Sequence, residues 1–152
     1  MKYTNEVHIS LPRSQVIELF DTKENLGKWQ EGLKQFEHIS GKPGMEGAKS
    51  KMVYASRTGD LEMTETITKR NLPDEFHSNY EARGVYNKVC NYFSEPEVNK
   101  TIWRSVSIFK FRGLMALMAP FMKNAFTKNT QLNMERFKAF AEQSVPSPSI
   151  DL

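Results

Sequence analysis

The sequence predicts an α+β domain in which a curved antiparallel sheet is closed by one long helix. Three observations carry this expectation. From Leu114 to Gln143 the apolar residues recur at helical spacing: Leu114, Met115, Met118, Phe121, Met122, Phe126, Leu132, Phe137 and Phe140. Ahead of that stretch, apolar and polar residues alternate in short runs, as half-buried strands require. Gly- and Pro-rich turns separate those runs. A helix laid across a bent sheet makes a container, so the pattern predicts a pocket as well as a shape.

The first strand is marked by Val7 and Ile9 alternating with Glu6, His8 and Ser10. Pro12 follows and suits the first turn of a helix, because its missing N–H would be unpaired there anyway. Val16, Ile17, Leu19 and Phe20 then form one apolar helix face, and a second short helical piece runs from about Asn25 to Trp29. Trp29, amphipathic and next to these helices, is expected to line or lid a pocket. Phe36 to Ser40 reads as a strand, Gly41 to Gly47 as a turn, and Ser50, Met52 and Tyr54 as one face of the next strand. After a turn at Ser56 to Asp60, Leu61, Met63, Glu65 and Ile67 alternate with Glu62, Thr64, Thr66 and Thr68, a threonine-rich strand with strong β preference. Asn71 to Asp74 turns the chain. Phe76, Ser78, Tyr80 and Ala82 share one face of the next strand, and Gly84 reverses it. Val85 to Phe93 carries polar and apolar residues on both faces, and its inward side stays open. Thr101 to Phe111 is the last strand, and Gly113 separates it from the helix. Pro120 predicts a kink, or a short helix over Leu114 to Ala119 followed by the main one.

The chain has 152 residues, enough for one domain with its own core. A charged fraction of 26% and a net charge of +3, with basic and acidic residues interleaved, describe a solvated surface and argue against nucleic acid as a partner. Cys90 is the single cysteine and so forms no internal disulfide. No stretch reaches the roughly 18–20 apolar residues of a membrane span, and the N-terminus has no apolar signal core, so a cytoplasmic location is expected. The basic, Met-rich stretch Gly113 to Phe126 has some character of a membrane-surface helix, but its apolar face is expected to be taken up by the core.

With about 100° per residue, the long helix gathers Met118, Phe121, Met122, Ala125, Phe126, Leu132, Phe137 and Phe140 into one broad stripe. Asn129, Asn133 and Arg136 fall in the same stripe. A buried polar group without a partner costs about 1–3 kcal/mol. These groups therefore either bond to backbone or face a partly wet cavity. Methionines in the stripe suit an adaptable lining.

The order of strand, two short helices, six strands and a closing helix resembles the START-like, or Bet v 1-like, superfamily (the SRPBCC and polyketide cyclase group). The carriers are Ile9-Ser10-Leu11-Pro12-Arg13-Ser14-Gln15-Val16, Gly44-Met45-Glu46-Gly47-Ala48, Glu65-Thr66-Ile67 with Leu72-Pro73, and Thr101-Ile102-Trp103 through Phe109-Lys110-Phe111-Arg112-Gly113-Leu114. The resemblance implies a helix-grip fold over residues 1–143, with a seven-stranded sheet wrapped around the helix and a cavity between them. Residues 144–152, rich in Ser and Pro, are expected to be a disordered tail. Turned inward, the strand faces supply Met52, Tyr54, Met63, Glu65, Phe76, Ser78, Tyr80, Trp103, Ser105, Ser107 and Phe109 as ligand contacts. The helix supplies Met118, Met122, Phe126, Asn129, Asn133, Arg136 and Phe137, and Trp29 completes the set. A one-residue slip would turn a whole strand face outward, so each face stands or falls together.

Little in the sequence reads as catalytic. Gly41 to Gly47 lacks the Gly-Lys-Ser/Thr ending of a phosphate loop and precedes a strand. His8, His38 and His77 have no metal-ligand spacing, and His77 alternates to the convex face. Glu65 is the one candidate acid or base, since a cavity position would raise its pKa. Arg136 is a possible ion partner for it, and the preferred plain reading is that Glu65 reaches solvent near its strand's end. Three functions follow. The first is binding of a small hydrophobic or amphipathic ligand of the lipid, polyketide or isoprenoid class, with no cofactor and no stable membrane insertion. The second is a cyclase or dehydratase using Glu65, Tyr54, Tyr80 and Arg136. The third is a ligand-free, co-chaperone-like interaction module, which an interior filled by side chains would favour.

Overall fold

The computed structural model describes residues 1–144. Strand β1 (Lys2–Ile9) leads into α1 (Arg13–Asp21), a 3-10 turn (Lys23–Asn25) and α2 (Leu26–Trp29). Six strands follow: β2 (Leu33–Ser40), β3 (Lys49–Tyr54), β4 (Leu61–Asn71), β5 (Glu75–Ala82), β6 (Val85–Glu97) and β7 (Lys100–Phe111). Helix α3 (Leu114–Ser144) ends the described chain. The strands form one antiparallel sheet in the order β1-β7-β6-β5-β4-β3-β2. The chain is joined from β1 at one edge to β2 at the other through α1 and α2.

The alternation read along the chain becomes the burial pattern of the sheet. In β1 the side chains of Tyr3, Asn5, Val7 and Ile9 are buried and those between them exposed. Cross-strand register carries the inner face across the sheet. One row runs Ser50, Glu65, Tyr80, Asn87, Phe109, and the next runs Ile67, Ser78, Val89, Ser107, Tyr3. The strand left unassigned is thereby settled: Asn87, Val89, Asn91 and Phe93 of β6 pair with Phe109, Ser107, Ser105 and Trp103 and face inward. On the convex side, His77 lies opposite Cys90 and against the Tyr92 ring, and its own side chain is mostly covered.

Packing is concentrated at one end of the molecule. Phe20 of α1 sits among the rings of Trp29, Phe76, Phe93, Trp103 and Phe137, at centroid distances of 5.0 to 6.3 Å. Ile9, Val16, Met134 and Ala141 complete this core. The second half of α3 is fastened to β1 by polar contacts. Asn5 Nδ2 donates to the Thr127 carbonyl (3.1 Å) and to Gln131 Oε1 (2.9 Å), and Tyr3 Oη shares a hydrogen bond with Thr130 Oγ1 (2.9 Å).

Three boundaries depart from the sequence reading. β2 begins at Leu33, three residues ahead of Phe36 by position, because pairing with β3 extends back to Tyr54. α3 runs through Pro120 without a break. The ring removes only the bond to the Ala116 carbonyl, close to the helix start, and the turns on either side remain. Ser144 belongs to α3, donating from Oγ to the Phe140 carbonyl at 2.7 Å, and the remainder of the expected tail lies outside the described residues.

Candidate functional site

Between the concave face of the sheet and α3 lies a cavity of about 1390 Å³. The aromatic core forms its floor, where Phe20, Trp29 and Trp103 present surface to the hollow. At the far end the cavity reaches the surface, rimmed by exposed Thr58, Gly59 and Asp60 of the β3–β4 turn, by Leu61 at the start of β4 and by Arg83 of the β5–β6 turn. A second rim runs beside Asp21, Lys23, Glu24, Pro43 and Gly44. At the first rim, α3 starts against Gly84. Its φ of +74° suits glycine, and a Cβ there would lie 3.3 Å from Met115 Cγ. The sheet and helix ends are thus held close at this rim by a residue without a side chain.

The walls are mostly apolar: Met63, Ile67, Phe76, Val89, Phe109, Met122 and Phe126. Phe109 and Phe126 stack at 5.2 Å. Polar groups are set into these walls too, and Glu65, Tyr80 and Asn87 among them share one cross-strand row. Glu65 and Tyr80 are directly opposed on β4 and β5, and Tyr80 Oη donates to Glu65 Oε2 at 2.8 Å. Tyr54 Oη donates to Gln30 Oε1 and lies 3.9 Å from Met52 Sδ. Burial pushes the Glu65 carboxyl above its ordinary 4.5, and the hydrogen bond from Tyr80 partly opposes this. Its remaining accessible surface faces the hollow, so the group is walled in by protein without being packed. Burial, reinforced by the Glu65 charge, likewise raises the Tyr80 and Tyr54 phenols, which stay protonated hydrogen-bond donors. Asn87 Oδ1 and Trp29 Nε1, on residues that also line the cavity, have no hydrogen-bond partner among the described residues.

Of the residues read from the sequence as ligand contacts, Trp29, Tyr54, Met63, Glu65, Phe76, Tyr80, Trp103, Ser105, Phe109, Met122, Phe126, Asn129 and Asn133 line this cavity. The others are placed elsewhere. Met52, Ser78 and Ser107 are on the concave face but covered by their neighbours, at 0%, 1% and 2% exposure. Phe137 is wholly buried in the aromatic core. Met118 points away and is 51% exposed. Arg136 is also outside, with Nη1 3.4 Å from Glu31 Oε2, so it is not a partner for Glu65. These last two corrections share a cause. The apolar stripe of α3 is wider than the face the sheet can cover, and only the flank carrying Met122, Phe126, Asn129 and Asn133 turns inward. The solvent-reaching reading of Glu65 is overturned as well, because its row is walled by Ser50 and Tyr80 beneath α3. Gln30, Asn87, Asn91 and Thr130 line the cavity and were missed. The β6 asparagines had a signal, alternation with Val89 and Phe93, but Tyr86, Cys90 and Tyr92 on the other face masked it.

Among the described residues, no group of three or more His, Cys, Asp and Glu side chains gathers as a metal site. No described helix is long and apolar enough to cross a membrane.

No protein-family model matches the sequence, and neither does any curated protein. Solved structures do resemble the fold. The Zhui aromatase/cyclase from Streptomyces sp. R1128 aligns with a TM-score of 0.80 at 12% identity, covering 97% of this chain and 96% of that one. A conserved protein from Geobacillus kaustophilus gives 0.78 at 14% identity, over 95% and 97% of the two chains. Ara h 8.0201 gives 0.75 at 10% identity, over 94% and 98%. The chain has a Bet v 1-like helix-grip fold.

Proposed function

We propose that the protein binds a small hydrophobic or amphipathic ligand, of the lipid, polyketide or isoprenoid class, in the cavity between sheet and α3. The observation that carries this reading is a roomy, mostly apolar hollow with a polar row, Glu65, Tyr80 and Asn87, set into its wall. Apolar walls with a few placed polar groups are the usual make-up of a small-molecule site. The apolar body of the ligand lies against Met63, Phe76, Val89, Phe109, Met122 and Phe126. A hydroxyl or amide meets the polar row, where the Glu65 carboxyl, its pKa raised by burial, offers a hydrogen-bond partner. A ligand-free interaction module would gain from an interior filled by side chains, and a hollow of this size gives it no such support.

The test is titration with anilinonaphthalene sulfonate, a fluorescent apolar probe, against the wild type and Val89→Trp, which puts an indole into the hollow. The reading expects saturable probe binding that weakens by about tenfold or more in the variant, since the indole takes the volume the probe needs. Equal binding by the two proteins, with the variant folded, would contradict it.

A second reading, a cyclase or dehydratase acting on a polyketide-type substrate, is favoured by the Glu65–Tyr80 hydrogen bond. A carboxyl with a raised pKa beside a phenol can donate and take back a proton at one substrate atom. Glu65→Gln separates the two readings. Turnover lost with probe affinity retained supports the enzyme; undiminished turnover excludes Glu65 as its acid or base.

A further inference from the structure

We propose that the outer face of the first half of α3 docks on an anionic lipid surface and so brings the cavity mouth to a bilayer. Leu114, Leu117, Met118 and Phe121 follow one another at helical spacing and are 78%, 71%, 51% and 84% exposed. At about 100° per residue, Leu132, itself 51% exposed, extends the same ridge. The ridge is roughly 27 Å long at the α-helical rise of 1.5 Å per residue. Exposed large apolar side chains are ordinary when scattered, but four gathered within two turns, Leu114 to Phe121, mark a binding surface. The core does not use this face, because Met115, Met122 and Phe126 on the neighbouring flank line the cavity instead.

Charge complementarity selects the occupant. Between Glu97 and Glu135 the chain has no acidic residue, while Arg112, Lys123 and Lys128 flank or interrupt the ridge. Arg112 donates its backbone N–H to the Gly84 carbonyl at 2.9 Å, which sets it beside Arg83 at the cavity rim. None of Arg83, Arg112, Lys123 and Lys128 forms an ion pair among the described residues. The acidic groups at this end are directed elsewhere: Asp60 pairs with Lys34 at 2.8 Å, and Glu81 alternates to the convex face with His77 and Asn79. A second copy laid symmetrically on the ridge would set these cations against their own counterparts. Acidic headgroups neutralise them while Leu117 and Phe121 enter the acyl boundary, the arrangement of an interfacial amphipathic helix. A bilayer so placed lies next to the opening lined by Leu61, Arg83 and Met115, where an apolar ligand can pass between membrane and cavity. That consequence rests on the ligand-binding reading; the docking itself does not.

The experiment is co-sedimentation of the purified full chain with vesicles of phosphatidylcholine alone and of phosphatidylcholine with one-third phosphatidylglycerol, without added ligand. Binding to the anionic vesicles, weakened by salt and reduced about tenfold or more by Leu117→Ser with Phe121→Ser, is expected. Arg83→Glu with Arg112→Glu should reduce it similarly while leaving the apolar ridge intact. All these positions are exposed, so unchanged circular dichroism and Tm confirm the variants are folded. No binding to anionic vesicles, or binding that the Leu117 and Phe121 changes do not weaken, overturns the proposal. So does a stable dimer in sedimentation velocity that the same changes dissolve, since a second copy would then own the ridge. Probe titration in vesicle-free buffer reports the ligand-binding reading separately, and either can fail without the other.

Discussion

Glu65 shows how one side chain acquires a property from its row in a sheet. On β4 it is one of several residues with the same alternation; beside Tyr80 and beneath α3 it becomes a carboxyl shielded from bulk water. A folded-state pKa above the ordinary 4.5 means the native protein holds a proton that the unfolded chain releases first. Stability contributed by protonated Glu65 is therefore complete below the unfolded value and is lost as pH rises through the higher folded value. Urea denaturation across this window should show a falling stability in the wild type that Glu65→Gln flattens, with the variant at least as stable at neutral pH. A variant that keeps the same slope would deny Glu65 that role. Tyr80→Phe removes the hydrogen bond that opposes the shift, so the carboxyl should titrate higher still, measurable by carbon NMR of the side chain. Thr101, fully buried, donates from Oγ1 to the Leu11 carbonyl at 2.8 Å. Thr101→Val keeps the shape but leaves that carbonyl unpaired, and should cost about 1–3 kcal/mol by urea denaturation. The sequence made Glu65 visible as a candidate but could not place it. Its surroundings are Tyr80 and Tyr54 from the two neighbouring strands, contacts set by tertiary register rather than by local pattern.

The long helix divides into two elements that one periodicity conceals. In its second half Met134, Phe137 and Ala141 are buried, whereas in its first half Leu114, Leu117 and Phe121 face outward. Hydrophobic spacing reports that a stripe exists and is silent on how much of it the sheet covers, so Met118 and Phe137 looked alike. Two phenylalanines of this helix should now behave oppositely. Phe137→Ala opens a cavity in the ring cluster and should cost about 3–5 kcal/mol. Phe121→Ala removes a side chain from solvent and should stay within about 0.5 kcal/mol. Urea midpoints of the two variants compare them directly, and similar losses would mean that the first half packs as tightly as the second. The strands were more legible than the helix. Threonine-rich β4 and the Phe76–Ala82 face of β5 each place their apolar residues on the concave side, and period-two alternation in the sequence records that side directly. β6 resisted because both its faces are half-covered: Tyr86, Cys90 and Tyr92 pack among convex-side neighbours while Asn87 and Asn91 look into the hollow.

For the whole molecule, the division of labour is between a packed end and a hollow end. Phe20, Trp29, Phe93, Trp103 and Phe137 supply the rigidity at one end, and the polar lacing from Asn5 and Tyr3 holds α3 over the sheet. The other end need not be filled for the fold to persist, and it opens beside the exposed ridge. This order of elements, with turns at Gly41 to Gly47 and Asn71 to Asp74, was readable from alternation and punctuation. The volume left between the layers was not, because it depends on how far α3 stands from the sheet. A ligand that fills it stabilises the native state by mass action, so saturating probe should raise Tm by a few degrees in the wild type and not in Val89→Trp. The most direct measurement is native mass spectrometry of the protein as purified from cells, with the denatured mass as reference. The account predicts a folded species heavier than the bare chain by one small apolar molecule, released on unfolding or exchanged for added probe. A bare folded chain that also takes up no probe would contradict it.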